Sequence, residues 1–581
     1  MSTFSQRAYP DDVVEHLEAH GLDPLFARLY AARGIQNHSE LNLEAKQLLP
    51  PASLKECETA AQLLADAITS KRPLVIVADY DCDGATACAL GMRGLRMLGA
   101  SEEQLGYLVP NRFTMGYGLT PEVVDMALEL NPRPSLLITV DNGIASHQGI
   151  DYAKTHGIDV LVTDHHLPSD QLPNALAIVN PNQPGCGFAS KALAGVGVMF
   201  YVLIALRALL RERGVFTNTT QPKLEQLFSL VALGTVADVA QLDRNNRILV
   251  SHGLRKIRQG QAPLGLLALF EVAARDPRTA SPFDLGFAIG PRLNAAGRLA
   301  DMSLGIQLLL CDDETRAMSL AQELDRINRE RRVIESGMQE SALASLANLS
   351  MKNEQAALCL WHPDWHQGVV GIVASRLKER FNRPTIVFAP ADDESGTPLL
   401  RGSGRSIQGF HLRDALDLVS KKYPGLILKF GGHAMAAGLT IRQSDFDDFE
   451  HHFCEISTSL LDDEILQRRC VHDGSLSPDQ FTVEIADRLM QEIWGQGFPQ
   501  PLFYGEFEVL QQSLMKDKHL RLQLRPLLKN ENLAPVLTGV WFNRTQTLPQ
   551  QAFLAFRLVS DRFREEARIQ LIIEAANDSL P

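Results

Sequence analysis

Three aspartates at alternate positions, Asp79, Asp81 and Asp83, follow the apolar run Leu74-Val75-Ile76-Val77-Ala78 and precede Gly84. In extended backbone, period-two geometry puts all three carboxylates on one face. Carboxylates that close repel one another and resist ionising together. A hard divalent cation such as Mg2+ or Mn2+ removes the conflict. Three further clusters share the build: Asp141 after residues 136–140, Asp164-His165-His166 after 160–163, and Asp238 after the apolar run ending at Ala237. Any one of them alone could be a solvated acidic loop. Together, each behind an apolar stretch, they read as carboxylate and imidazole ligands for Mn2+ or Mg2+. Two such ions about 3.5–4 Å apart would activate a water and stabilise the leaving oxygen of a phosphoester.

The elements that must carry these groups alternate in type. The apolar runs at 74–78, 105–109, 136–140 and 160–163 read as strands, with helical patterns at 86–98, from Pro121 and through Tyr152 between them. Strands alternating with helices give a parallel, doubly wound sheet of an α/β protein, which binds ligands beyond the carboxyl ends of its strands. The first three clusters fall at that edge. Upstream, residues 13–18, 24–33 and 54–68 carry helical spacing, so residues 1–70 form an N-terminal helical segment packing on the first domain at 71–311. Residues 193–212 and 224–235 read as helices, and the segment 290–299, GPRLNAAGRL, as a loop or helix start.

Residues 312–346 form one charge-rich helical pattern containing Arg326, Arg329, Arg331 and Arg332, a connecting helix whose charges are as readily a solvated face as a site. A second, smaller α/β domain spans 347–465. Its glycine-rich segments, 402–406 and 431–438, read as turns that let a backbone approach phosphate, with Arg405 and His433 as polar heads. From 466 to 581 five short alternating segments suggest an OB-like β-barrel. Lys516, Lys518, Arg521 and Arg525 lie on its second strand and the preceding turn, and Phe503, Tyr504 and Phe542 are its candidate stacking faces.

Composition narrows the class. A chain of 581 residues with 45% hydrophobic and 22% charged residues is globular, with roughly three or four domains. No apolar run reaches the roughly 20 residues of a membrane span, and the N-terminus lacks a signal-peptide pattern. Eight scattered cysteines without a C-x-x-C pair argue for a reducing cytoplasm. A net charge of −13 speaks against bulk attraction to nucleic acid, leaving a local basic channel open.

The ADYDCDG, Asp141, TDHH and Asp238 clusters together resemble the DHH phosphoesterase superfamily, and within it most nearly its bacterial single-strand-specific exonucleases. The likeness covers nearly the whole chain, including GPRLNAAGRL at 290–299, HQGVVGIVASR, GSGRS and FGGHAMAAG. It implies Asp81, Asp83, Asp141, His165 and Asp238 as ligands of two Mn2+ or Mg2+ ions, with Asp141 bridging. Asp79 and Asp164 would orient those ligands, and His166 would face the scissile phosphate as donor or general acid, with Asp81 and Asp141 completing the catalytic set. Arg112, Asn294, Arg298, Ser403, Arg405 and His433 would hold the strand, with Arg112, Ser403 and Arg405 converging on the 5'-terminal phosphate. The superfamily's pyrophosphatases carry a ligand histidine where this chain has Val77, which counts against that activity.

The resemblance implies a 5'-to-3' exonuclease acting on single-stranded DNA beside single-stranded-DNA-binding protein and a RecQ-type helicase; a monomer with no membrane partner is expected. Two alternatives differ in class: a phosphodiesterase for nano-RNA or cyclic dinucleotides, which would lack the terminal barrel, and a non-catalytic replication factor, which would lose metal ligands.

Overall fold

A computed structural model of the chain describes residues 3–112, 115–348, 355–391, 397–467, 469–527, 535–561 and 567–577. It divides into two compact units, the larger holding Arg7–Asn328 and Asp473–Ala576, the smaller built on Arg329–His472.

The smaller unit also takes up the first strand, β1 (Thr3–Gln6), which pairs in parallel with a strand at the unit's other end, Arg469–His472. The N-terminal segment, expected to be helical, thus begins with a strand. Four residues carry too little periodicity to reveal a strand whose partner lies more than 460 positions away.

In the larger unit β2 (Leu74–Ala78), β3 (Leu105–Leu108), β4 (Leu136–Val140), β5 (Asp159–Thr163) and β6 (Ala177–Val179) form a parallel sheet in the order β3-β2-β4-β5-β6. Side chains alternate between its faces. Leu74, Ile76 and Ala78 join the core under the helices Cys57–Thr69, Cys82–Met97 and Gly195–Glu212. Val75 and Val77 join a second core with Val123, Val124 and Ile150 of the helices Pro121–Leu128 and His147–Thr155. Burial on both faces explains why β2, β4 and β5 read as unbroken apolar runs. Only β6, three residues long, escaped the sequence pattern.

The smaller unit carries β7 (Leu358–Trp361), β8 (Thr385–Ala391), β9 (Leu399–Arg405), β10 (Lys429–Gly432) and β11 (Ala436–Arg442) in the order β10-β11-β9-β8-β7, mixed in direction, while β12 is the Arg469–His472 strand. The glycine-rich segments expected as turns are therefore largely strand. Along β9, Leu400, Gly402 and Gly404 face inward and Arg401, Ser403 and Arg405 the other way. A Cβ on Gly402 would collide with the Phe388 ring, so glycine serves packing here. Because β8 and β11 flank β9, its amides belong to the ladder and form no phosphate-binding turn.

The chain passes between the units within one helix, Glu314–Asn348. Arg326, Arg329 and Arg332 on it are exposed, the solvated face its charges allowed, whereas Arg331 is buried and pairs with Glu335 at 2.8 Å, and Glu335 also receives Arg376 at 3.1 Å. The last five strands, β13 (Phe503–Met515), β14 (His519–Pro526), β15 (Leu537–Trp541), β16 (Gln551–Asp561) and β17 (Arg568–Asn577), close a barrel in the order β13-β14-β15-β17-β16, the OB-type arrangement. The barrel shares the larger unit's core: Arg33 pairs with Asp473 at 3.0 Å and Tyr30 stacks on Trp494 at 6.0 Å.

Candidate metal centre

The carboxyl edge of the parallel sheet brings the expected acids together in two groups. The ligand atoms of Asp79, Asp81 and Asp141 lie within 4.8 Å of one another, as do those of Asp83, His165 and Asp238. The three aspartates of the first motif thus do not share one extended face. β2 ends at Ala78, Asp81 caps the helix Cys82–Met97 by accepting from the Gly84 amide at 3.0 Å, and Asp83 is already in its first turn. That turn aims Asp83 at another helix, where it accepts from the Gly195 and Val196 amides at 2.6 and 2.9 Å. Asp238 differs too: it stands at the C-terminus of the helix Phe228–Ala237 rather than behind a strand.

Asp141 lies between the groups. Its φ of +62° is a left-handed conformation that costs a non-glycine residue about 1–3 kcal/mol. The Tyr117 hydroxyl donates to its carbonyl at 3.1 Å, and its own amide donates to Thr163 at 3.1 Å. Its carboxylate reaches His165: Oδ1 lies 3.1 Å from Nε2, yet both atoms are buried and neither has a hydrogen bond. With the ring neutral and the Leu193 backbone favouring a proton on Nδ1, Nε2 would present a lone pair. Two acceptors facing each other fit a shared cation.

The remaining spacings agree. Nε2 lies 3.9 Å from Asp238 Oδ2 and 4.0 Å from Asp83 Oδ2. Octahedral ligands at 2.0–2.1 Å from an ion sit about 3 Å apart when adjacent and about 4 Å when opposed. Electrostatics point the same way. Burial, followed by neighbouring aspartates, raises Asp79, Asp141 and Asp238 well above the carboxylate range and pushes Asp83 up to about 7. Burial and the charge of His166 lower His165 to about 4, leaving it neutral. Buried oxygens in conflict beside a neutral imidazole suit Mn2+ or Mg2+.

Asp164 is fully buried and supports the neighbouring histidines. It accepts from the His165 and His166 amides at 2.7 and 3.1 Å, from His166 Nδ1 at 2.8 Å and from the Ile144 amide at 2.9 Å. Burial pushes Asp164 up, but His166 and these donors outweigh it and hold the carboxyl below its usual range. Burial likewise opposes charge on His166, but Asp164 overrides it and raises the imidazole to about 9. His166 is therefore a cation at neutral pH, with its side chain 35% exposed.

The sequence matches the DHH family N-terminal domain over residues 73–235, the DHHA1 domain over 353–458 and the RecJ OB domain over 472–575. It is 49% identical over 563 residues to the single-stranded-DNA-specific exonuclease RecJ of Salmonella typhimurium, covering 95% of this chain and 96% of that one. The chain belongs to the RecJ family of DHH phosphoesterases. The RecJ of Bacillus subtilis is 35% identical over 93% of this chain and 65% of its own length. The crystal structure of RecJ from Thermus thermophilus in complex with Mn2+ matches with a TM-score of 0.80 at 28% identity, covering all of this chain and 80% of that one.

The other residues singled out by the RecJ likeness divide by unit. In the larger, Arg112 stacks on Tyr80 with Cζ 4.6 Å from the ring centroid and donates to the Gly297 carbonyl at 3.2 Å. Asn294 spends its side-chain oxygen on the Cys82 amide at 2.8 Å, bracing the metal loop. Asn294 and Arg298 lie on the helix Gly290–Leu299. In the smaller, Arg405 donates to Ser403 Oγ at 3.1 Å and to the Gly404 carbonyl at 2.8 Å. No ion pair to Arg405 occurs among the described residues, and burial alone lowers its pKa. His433 closes the β10–β11 turn, its amide donating to Ala436 at 2.8 Å.

Four supporting residues went unnoticed in the sequence. Tyr117 bridges Asp141 and His166, its hydroxyl 3.2 Å from Nδ1. Asn142 ties β2 to β4 by donating to the Val77 and Val140 carbonyls at 3.1 and 2.9 Å. Asn180 and Asn182 hold the His166 and His165 carbonyls at 2.9 and 2.6 Å. The tyrosine between two glycines and the asparagines of Asn180-Pro181-Asn182 were the available signals. Of the expected barrel stackers, Phe503 is fully buried and belongs to the core, Tyr504 stacks on Phe553, and Phe542 is exposed.

Proposed function

We propose that this chain is a metal-dependent exonuclease that hydrolyses single-stranded DNA from its 5' end to 5'-mononucleotides. The observation that carries the chemistry is the buried pair Asp141 Oδ1 and His165 Nε2, two unpartnered acceptors 3.1 Å apart at the junction of two ligand groups. We assign Asp83, His165 and Asp238 to one ion, Asp79 and Asp81 to the other, and Asp141 to both. Asp79 thereby becomes a ligand rather than an orienting group. Two ions held there would supply an activated water and neutralise charge on the leaving oxygen.

The protein's own residues supply the rest. Asp164 keeps His166 protonated and oriented, so that the imidazolium donates to a phosphate oxygen. Arg112, Asn294, Arg298 and His433 are assigned to holding the strand.

Direction requires recognition of an end. Ser403 and Arg405 point from one face of β9 onto Gly371, near the start of the helix Val370–Phe381; a Cβ on Gly371 would lie 2.9 Å from both Ser403 Oγ and Arg405 Nη2. An arginine without an acid, a hydroxyl and a helix N-terminus together favour a phosphate. We assign this cluster to the 5'-terminal phosphate. Eight free cysteines fit a cytoplasmic enzyme. A monomer working with single-stranded-DNA-binding protein and a RecQ-type helicase in recombination and repair belongs to the same proposal.

Digestion of 5'-phosphorylated and 5'-hydroxyl single strands with Mn2+, beside a duplex and a dinucleotide, tests this function. The wild type is expected to prefer the phosphorylated single strand. Arg405→Ala should lose about tenfold or more on it, the worth of a charge-assisted hydrogen bond, and much less on the hydroxyl strand. Equal losses on both strands, or a preference for the dinucleotide, would overturn the assignment.

A further inference from the structure

Two phenylalanines stand in water beside this centre. Phe283 and Phe287 are 51% and 67% exposed, yet stack on each other with centroids 4.8 Å apart and planes at 25°. They lie four residues apart on the segment formed by the helix Pro282–Asp284 and the π-helical turn Leu285–Ile289. The segment is anchored without them, since Leu285, Ala288 and Ile289 on its other side are buried. Short π-helical turns occur frequently at functional sites.

The same stretch runs along the candidate metal centre. Gly286 and Gly290 pack against Val236 and Ala237, where a Cβ would lie 3.3 Å from Val236 Cγ1 and 3.0 Å from Ala237 Cβ. Asp238 is the next residue, its side chain 24% exposed. Farther on, Asn294 bonds the Cys82 amide and Gly297 packs against the Tyr80 carbonyl. One continuous segment thus links the phenylalanine pair to the Asp238 side and the Asp79–Asp81 side of the centre. Val239, 63% exposed at a φ of +59°, adds a third apolar group in water at the Asp238 edge.

We infer that Phe283 and Phe287 form a platform on which unpaired bases of the substrate strand stack as it runs to or from the metal centre. This rests on the single-strand reading above. Two rings and a valine offer far less than the roughly 800 Å2 per partner of a standard protein interface. They do offer ring-sized faces, and base–aromatic stacking is worth about 1–3 kcal/mol per base. A single strand, whose charged phosphates would run past Asp238 while its bases turn to apolar faces, matches both parts of this edge. A paired strand has no free base to offer, so the platform would also select against duplex.

The test is equilibrium binding, in Mn2+, of a labelled 5'-phosphorylated strand whose phosphorothioate linkages slow cleavage. The proteins are the wild type, Phe283→Ala, Phe287→Ala, the double variant and Phe287→Leu. The double variant is expected to bind about tenfold more weakly, and Phe287→Leu to fall between. An abasic site walked along the strand should cost the wild type a similar factor at the stacked position and cost the double variant nothing further there. Wild-type affinity in the double variant, or the same abasic penalty in both proteins at every position, would overturn the platform; the first result would leave the patch to a protein partner. A wild type that binds this strand but does not cut an ordinary one would refute the exonuclease reading alone.

Discussion

Gly195→Ala adds one methyl group where two candidate ligands meet. A Cβ at Gly195 would lie 2.6 Å from Asp141 Cβ, 2.7 Å from Oδ1 and 2.9 Å from Cα. Carbon atoms pack at about 3.5 Å or more, so the methyl is short by roughly 0.6 to 0.9 Å against both carbons. Neither carbon is a flexible tip: Asp141 is fixed at the end of β4 with a φ of +62°. Either Asp141 moves, or the helix Gly195–Glu212 moves and draws the Gly195 and Val196 amides away from Asp83. In both cases one ligand shifts by the better part of an ångström relative to the others. Misplacement of about 1 Å costs about 100-fold in rate, and overpacking costs about 1–3 kcal/mol of stability.

The assay pairs kcat on single strands with a Mn2+ titration and a melting curve. Gly91→Ala is the control, because a Cβ there meets only side-chain ends, Ile76 Cδ1 at 2.8 Å and Met199 Cε at 3.3 Å. It is expected to retain activity. Wild-type kcat and Mn2+ affinity in Gly195→Ala would refute the claim that Asp141 and the Asp83-bearing amides fix the ligand geometry.

Asp164→Ala leaves the amides of Ile144, His165 and His166 and the His166 ring without their acceptor. At about 1–3 kcal/mol for each buried donor left unmade, the melting temperature should fall by several degrees and activity by 100-fold or more; an unchanged melting curve would contradict this. Chelation should abolish activity and Mn2+ should restore it. Saturation at about 100 times Kd adds about 2.7 kcal/mol of stability, so a melting temperature indifferent to Mn2+ would argue against a buried site. Removing the barrel would open the larger unit's shared core, so its binding role is better tested by Lys516→Ala, Lys518→Ala and Arg521→Ala combined. The salt slope of long-strand binding should then fall by about 0.7 per lost phosphate contact, and an unchanged slope would free the barrel of that role.

The sheet was legible because β2, β4 and β5 are buried on both faces and therefore read as unbroken apolar runs. The barrel was legible because its strands alternate. Residue type alone located the acids, since carboxylates repeatedly placed after apolar runs are costly without a cation. Their grouping was not legible. Asp83 joins His165 and Asp238 only because a helix begins at Cys82 and turns it toward the Gly195 amide. Asp238 depends on where a helix stops, which a sequence apolar but for Ser229 and Thr235 does not mark. Glycines in β9 imitated a turn because their need lies outside the strand, at the Phe388 ring of β8 and at Leu412 of the helix Leu412–Lys422. Tyr117 and Asn142 act through contacts that local sequence spacing does not encode.

The central claim is that Asp141 serves two ions at once. Calorimetric titration of Mn2+ into the wild type and Asp141→Ala, run beside single-strand digestion, tests it most directly. The wild type should bind two ions per chain and digest the strand. Asp141→Ala should keep its circular dichroism spectrum, lose tight binding of both ions and lose turnover. Two tight ions, or wild-type turnover, in a folded Asp141→Ala protein would contradict the claim.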